Sequence, residues 1–221
     1  MKKFLTWLVH FILGILLLFL STVIVVSFFS LHLFQNRSES LLWMLIGAVG
    51  GTLFFLHFHL TPLYVLGHEL THWLIAKLFR RRTSRFTVHL NSGSVRVENP
   101  NIWITLGPYI FPFYMLLWLA VVFVASFFSF FTPTVSLACS AVVGVLYAYH
   151  ILMTIVALSR NQPDLKFNGV VFSMVFIITF NLLFLYLAIA IATQQILPAL
   201  QLLWNVCAKV ARTQVESMLW H

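Results

Sequence analysis

The sequence predicts an all-α polytopic membrane protein of about six transmembrane helices, with one small β-hairpin between the third and fourth. Three observations carry this. Of 221 residues, 61% are hydrophobic and only 8% charged, against about 25% charged in soluble domains. The apolar residues fall in runs close to the ~20 that a helix needs to cross a hydrocarbon core. The one sizeable polar insertion, residues 80–101, alternates apolar and polar residues on either side of a turn signal.

The spans are read in order as roughly Leu5–Leu33, Leu41–His59, Pro62–Phe79, Ile104–Phe131, Val135–Leu158 and Gly169–Thr193. The start, Met1-Lys2-Lys3 before an apolar run, has the outline of a signal peptide. That run exceeds the 7–15 residues of a signal h-region and no small-residue cleavage site follows it, so it is expected to be the first anchor. The second and third spans are parted only by His57–Pro62, which suits a tight turn or a helix broken at Pro62. In the insertion Phe86, Val88 and Leu90 alternate with Thr87 and His89, and Val95 and Val97 alternate with Arg96 and Glu98, around Asn91-Ser92-Gly93-Ser94. A two-stranded hairpin is marginal alone, so it is expected to lean on the helices or on a bound peptide. The tail, 194–221, places Leu200, Leu203, Val206, Val210 and Val215 at near-helical spacing and reads as an interfacial amphipathic helix. No repeat or low-complexity linker divides 1–221, which reads as a single membrane-embedded domain. Cys139 and Cys207 have no spacing partner and say nothing of a disulfide framework.

The formal net charge of +8 does not indicate nucleic acid, because the basic residues flank the spans. Arg80, Arg81, Arg82, Arg85 and Arg96 share one predicted side with Arg37, Arg160 and Lys166. The positive-inside rule places that side in the cytoplasm and both termini outside, although Lys2-Lys3 opposes it.

The chain has five acidic residues, and one of them, Glu69, lies inside the third span in His68-Glu69-Leu70-Thr71-His72. Ionisable groups in a span cost roughly 2.5–3.5 kcal/mol by insertion scales and mostly face the protein interior for a function. On a helix, His68 and His72 are four residues apart and point the same way, a spacing that lets two imidazoles grip one zinc ion. Glu69 is about 100° round from His68, within reach of a metal-bound water as general base. The plain alternative is a chance pattern whose polar groups bond to neighbouring helices. Glutamate is too scarce in this chain for that to be the better reading. A catalytic zinc wants a third protein ligand. Asp164, at the start of the sixth span, is the first choice, although an Asp there also suits a helix cap. Glu98 in the hairpin loop competes for the role.

These residues carry a resemblance. His-Glu-Leu-Thr-His in a span, a hairpin with a Ser92-Gly93-Ser94 turn, a Gly107-Pro108 helix start and a Pro163-Asp164-Leu165 at a later span together resemble the site-2 protease family of intramembrane zinc metalloproteases, over roughly Pro62–Leu183. The likeness is greatest to its compact bacterial members without a PDZ domain. It implies a multi-pass protein of the bacterial inner or plasma membrane, with zinc on His68, His72 and Asp164 and Glu69 activating water. The family's third motif reads Asn-x-x-Pro-x-Pro-x-Leu-Asp-Gly, whereas here Asp164 follows Gln162-Pro163 directly and no Gly comes next. Asn161 is therefore off the family's spacing.

The expected function is thus an intramembrane zinc endopeptidase cutting transmembrane or juxtamembrane segments of a membrane-protein substrate within the lipid bilayer. Gly93, Ser94 and Val95 on the hairpin, with Asn161 and His150, are the candidate substrate-binding residues. A strand edge at Ser94–Val97 suits pairing with an unwound substrate, and a hairpin that merely plugs the cleft suits the same residues. A lone span histidine such as His150 is more often a partner between helices than a ligand. The alternatives are a non-proteolytic protein binding haem or another redox centre through its histidines, and a zinc-binding pseudoprotease scaffold.

Overall fold

The computed structural model describes residues 2–30, 38–90, 92–160 and 162–219. Nine helices are described: α1 Lys2–Ser30, α2 Ser38–His57, α3 Thr61–Leu78, α4 Ile102–Ile110, α5 Phe113–Ala125, α6 Pro133–Leu158, α7 Pro163–Asn168, α8 Val170–Ala192 and α9 Ile196–Leu219. Strands β1 Thr87–Val88 and β2 Gly93–Ser94 lie between α3 and α4. Helices α1, α2, α6 and α8 are long and apolar enough to cross a membrane, and α4 with α5 makes a fifth candidate if that bent pair is one span. The several long apolar helices fit a multi-pass membrane protein. The expected third span, α3, is not among the candidates, because His68, Glu69, His72 and Lys77 lower the hydropathy of its 18 residues.

Two expected spans are built otherwise than their apolar runs suggest. The fourth is broken: α4 and α5 meet at 73°. Phe111 leaves the helical region at ψ 111, as the residue before a proline tends to, and Pro112 precedes α5. Helix α4 also starts earlier than expected. Asn101 caps it, its Oδ1 accepting the Ile104 N–H at 3.0 Å, so Gly107-Pro108 lie within the helix instead of starting it. Asp164 does not begin the sixth span. It belongs to the separate six-residue α7, with Pro163 in its first turn, and Gly169 at φ 88 ends that helix before α8.

The contacts divide the chain into two compact units, Met1–Leu41 with Met174–His221, and Leu42–Ser173. In the first, α1 packs on α9, and Ile24, Tyr186, Ala190 and Ala199 are buried. The Tyr186 hydroxyl donates to the Ala199 carbonyl at 2.8 Å. The expected amphipathic tail is therefore a helix whose Ala199 and Val206 are buried in protein, with Leu197 and Trp204 left exposed.

In the second unit α2 and α6 approach almost backbone to backbone. A Cβ added at Gly47 would land on the Ala141 carbonyl, and one at Gly144 on the Met44 carbonyl. One turn on from Gly47, the position of a Gly51 Cβ is 3.0 Å from Val145 Cα. Small residues permit this approach where there is no hydrophobic driving force between helices in lipid. The α2–α3 connection is the tight turn that the sequence allowed. Leu60 adopts a left-handed φ of 38, a cost for a residue with a Cβ. Its carbonyl accepts from the Leu63 and Tyr64 N–H groups and from the Tyr149 hydroxyl.

The hairpin pairs Thr87 with Ser94 and Val88 with Gly93, and a bridge joins Thr83 to Val97. Its turn comes earlier than expected. His89 N–H bonds the Ser92 carbonyl at 2.7 Å, so Gly93 and Ser94 are strand residues, while Asn91 of the expected turn lies outside the described residues. The hairpin leans on α3.

The close crossing of α2 and α6 yields a paired test. Gly144→Leu would drive a four-carbon side chain into the Met44 backbone, and the thermal midpoint of the detergent-solubilised protein should fall, by roughly 1–3 kcal/mol of stability or more. Gly50→Leu should leave the midpoint within a degree or two, because nothing lies within 4 Å of a Cβ there.

Candidate metal centre

Among the described residues, His68, His72 and Asp164 form one group in which a ligand atom from each lies within 4.8 Å of the others. The two Nε2 atoms are 3.2 Å apart, and His72 Nε2 is 3.6 Å from Asp164 Oδ2. Metal–ligand bonds of about 2.0–2.1 Å in a tetrahedron put neighbouring ligand atoms about 3.3 Å apart. The observed spacings therefore fit a zinc-sized ion. Glu98, the competing third ligand, is exposed at the far end of the hairpin and outside this group.

Each member is oriented by a neighbour. His72 Nδ1 lies 2.6 Å from the Ile104 carbonyl. That oxygen only accepts, so Nδ1 carries a proton, and in the neutral ring it is then Nε2 that presents a lone pair to the group. The Ile104 carbonyl has no α-helical donor of its own, since the N–H four residues on would belong to Pro108. His68 Nδ1 is 3.1 Å from the Tyr64 hydroxyl. The Tyr109 hydroxyl donates to Asp164 Oδ2 at 3.1 Å, and Tyr109 is fully buried. Asn168, on α7 with Asp164, donates to Thr105 Oγ1 on α4 at 2.8 Å. Such outer partners fix tautomers and ring orientation in metal sites.

Helix α3 brings this about by close approach at glycines. A Cβ at Gly107 would strike the Ile75 side chain, and one at Gly67 would lie 2.8 Å from the Tyr114 ring, so α4 and α5 reach the face of α3 that carries the histidines. On the hairpin, a Cβ at Gly93 would lie 2.5 Å from Glu69 Cγ and 2.8 Å from Val65 Cγ1. The Val95 backbone lies close to the Glu69 carboxyl. Glu69, outside the ligand group, lines a cavity of about 190 Å³ with Tyr64, His68, Gly93, Arg160 and Gln162.

The candidate substrate residues fall in different places. Gly93 packs on Glu69, with the Val95 backbone close to the same side chain. Ser94 is exposed, its hydroxyl 3.0 Å from that of Thr87. His150 is buried on α6 and lines a separate water-sized pocket of about 20 Å³ beside Gly67 and His68. Asn161 lies outside the described residues. Sequence reasoning missed Tyr64, Tyr109 and Asn168. Tyr64 was findable, since it stands one turn before His68 on the same helix face. Tyr109 and Asn168 had no local signal.

No protein-family model, curated protein or solved structure matches the chain.

Two tests follow from this geometry. Asp164→Ala should remove bound zinc from purified protein, Tyr109→Phe should weaken zinc about 10–100-fold, and Glu98→Ala should leave it unchanged. Metal titration against a chelator reads all three, and a larger loss in Glu98→Ala would move the third ligand to the hairpin. Separately, Gly93→Val should push the hairpin off α3. Proteolytic nicking within 80–101 should then accelerate at least several-fold while zinc content stays constant.

Proposed function

We propose that the chain is a zinc metalloendopeptidase that hydrolyses peptide bonds in transmembrane or juxtamembrane segments of membrane proteins, as its resemblance to the site-2 protease family implies. One observation carries the reading. Glu69, a carboxylate outside the ligand group, faces the same 190 Å³ cavity as the ligand His68. His68, His72 and Asp164 are the residues that hold the ion. Zinc in a site of this kind polarises a peptide carbonyl and makes water acidic near neutral pH.

The chain's own residues do the rest. Glu69 accepts a proton as the water oxygen bonds to the carbonyl carbon, and the carbonyl π pair moves onto its oxygen. The pair returns as the C–N bond breaks, and Glu69 passes the proton to the departing nitrogen. The products are a carboxylic acid and an amine. The close packing of Gly93 on Glu69 sets that side chain beside the cavity. The ionisable cluster in a chain built of apolar helices agrees with functional placement.

The haem alternative draws less support from the geometry. His68 and His72 are one turn apart with Nε2 atoms 3.2 Å from each other, which leaves no room for a porphyrin between them. A zinc-binding scaffold without activity has the same ligand geometry, and only catalysis separates it from the protease.

Glu69→Gln decides between those two. Co-expressed with candidate membrane-protein substrates, it should keep its zinc and its thermal midpoint while cleavage falls about 10²–10⁴-fold, the typical contribution of a general base. Cleavage at the wild-type rate would place the base elsewhere, and no cleavage by the wild type of any substrate offered would favour the scaffold.

A further inference from the structure

We infer that Arg160 selects the substrate, pairing with a carboxylate that the membrane segment carries close to the bond to be cut; this rests on the protease reading. Arg160 and Glu69 line the same 190 Å³ cavity from different elements. Glu69 belongs to α3, and Arg160 follows the end of α6. The backbone there is tied down. Arg160 N–H donates to the Ala157 carbonyl at 3.0 Å, and Gln162 Nε2 donates to the same oxygen at 3.3 Å. Ala157 and Gln162 are themselves part of the cavity wall. The guanidinium charge lies near enough to act on the Tyr64 hydroxyl, and Tyr64 borders the cavity from α3. The charge as well as the backbone of Arg160 is therefore at this wall.

That charge is unmatched. Among the described residues the one ion pair is His72 with Asp164, and Glu69, the one carboxylate on the cavity wall, is not paired with Arg160. Arg160 is exposed, so an arriving group can reach it. A guanidinium keeps its charge and offers a planar fork of donors that a carboxylate accepts in pairs. The neighbouring wall is apolar, formed by Val65, Met153 and Val156, and charges attract more strongly where water is partly excluded. An acidic group in a membrane segment is costly to bury alone, and Arg160 offers it a partner. Glu69 repels the same group, which sets the direction in which the segment lies. Its carboxylate goes to the α6 side, and its scissile carbonyl to the His68 and Glu69 side.

The plain alternative is an arginine that only complements the C-terminal end of α6 and the lipid phosphates beside it, in which case the charge of the substrate is immaterial. Binding separates the two without catalysis. The full chain carrying Glu69→Gln, in detergent with zinc, is titrated with fluorescent transmembrane peptides of alanine and leucine, amidated at the C-terminus. One Glu is stepped residue by residue through the peptide, and each version is compared with its Gln and Lys counterparts. A second set ends at the stepped residue with a free terminal carboxylate and no acidic side chain. At one or two adjacent positions Glu should bind about 10–100-fold more tightly than Gln, as a hydrogen-bonded charge pair does. Adding Arg160→Gln should abolish the preference, and Arg160→Glu should turn it toward Lys, with zinc content constant in both. A preference confined to the free terminal carboxylate, and lost in Arg160→Gln, upholds the site and assigns the carboxylate to a chain end. Equal binding of all versions, or a preference that survives Arg160→Gln, overturns the inference. Cleavage by the wild type is then read on the same peptides. Charge-dependent binding without any cleavage overturns the protease reading and keeps Arg160 as a carboxylate site, whereas cleavage indifferent to peptide charge does the reverse.

Discussion

The hydrogen bond from His72 Nδ1 to the Ile104 carbonyl, 2.6 Å long and buried, is the contact on which the candidate centre depends. It exists because Pro108 has no N–H. An ordinary residue there would give Ile104 its helical donor, and the imidazole would have to compete for the oxygen. Instead, α4 is left with an acceptor that needs a partner, since a buried unpaired carbonyl costs about 1–3 kcal/mol. His72 supplies it. One proline on α4 thereby selects the tautomer of a histidine on α3 and aims its other nitrogen at His68 and Asp164. The same helix carries Tyr109, whose hydroxyl meets Asp164, and Thr105, which meets Asn168 of α7. Helix α4 thus serves as the template against which both other elements of the site are set.

That arrangement requires backbones to come close, and in this chain glycine provides the approach. Gly107 admits Ile75 and thereby seats α4 on α3, Gly67 admits the ring of Tyr114, and Gly93 admits Glu69. In water such contacts are supplemented by burial of apolar surface. Among helices surrounded by hydrocarbon that term is missing, and dispersion and hydrogen bonding must hold neighbours together. Both fall away steeply with distance. A methyl group at any of these three positions would separate elements whose polar atoms meet at about 3 Å, so the glycines around α3 belong to the chemistry of the site as much as to its packing.

The hairpin illustrates how a marginal element becomes useful. Two strands of two residues each cannot persist alone, and this pair rests on α3 through Gly93. The contact point is the carboxylate assigned as the base.

Much was legible in the sequence because it depends on local spacing. The apolar runs are a matter of composition, and the α-helical period alone makes His68 and His72 face one way with Glu69 beside them. The hairpin followed from alternation and a glycine-bearing turn, with the strands displaced because Gly93 answers a steric demand from α3 that no local pattern encodes. What stayed hidden was set by contacts between distant residues. The 73° bend between α4 and α5 is not among these, since it falls at Phe111-Pro112, where the proline is a local signal for a kink. The choice of Asp164 over Glu98 is legible as a motif but is realised by Tyr109 and by α7 lying on α4. Composition and helical period determined that a His-His-Glu face would exist in an apolar protein. Tertiary structure alone decided which ring nitrogens point inward and how Asp164 is brought to them, because hydrogen bonds act over about 3 Å and their partners here stand 32 to 63 residues apart along the chain.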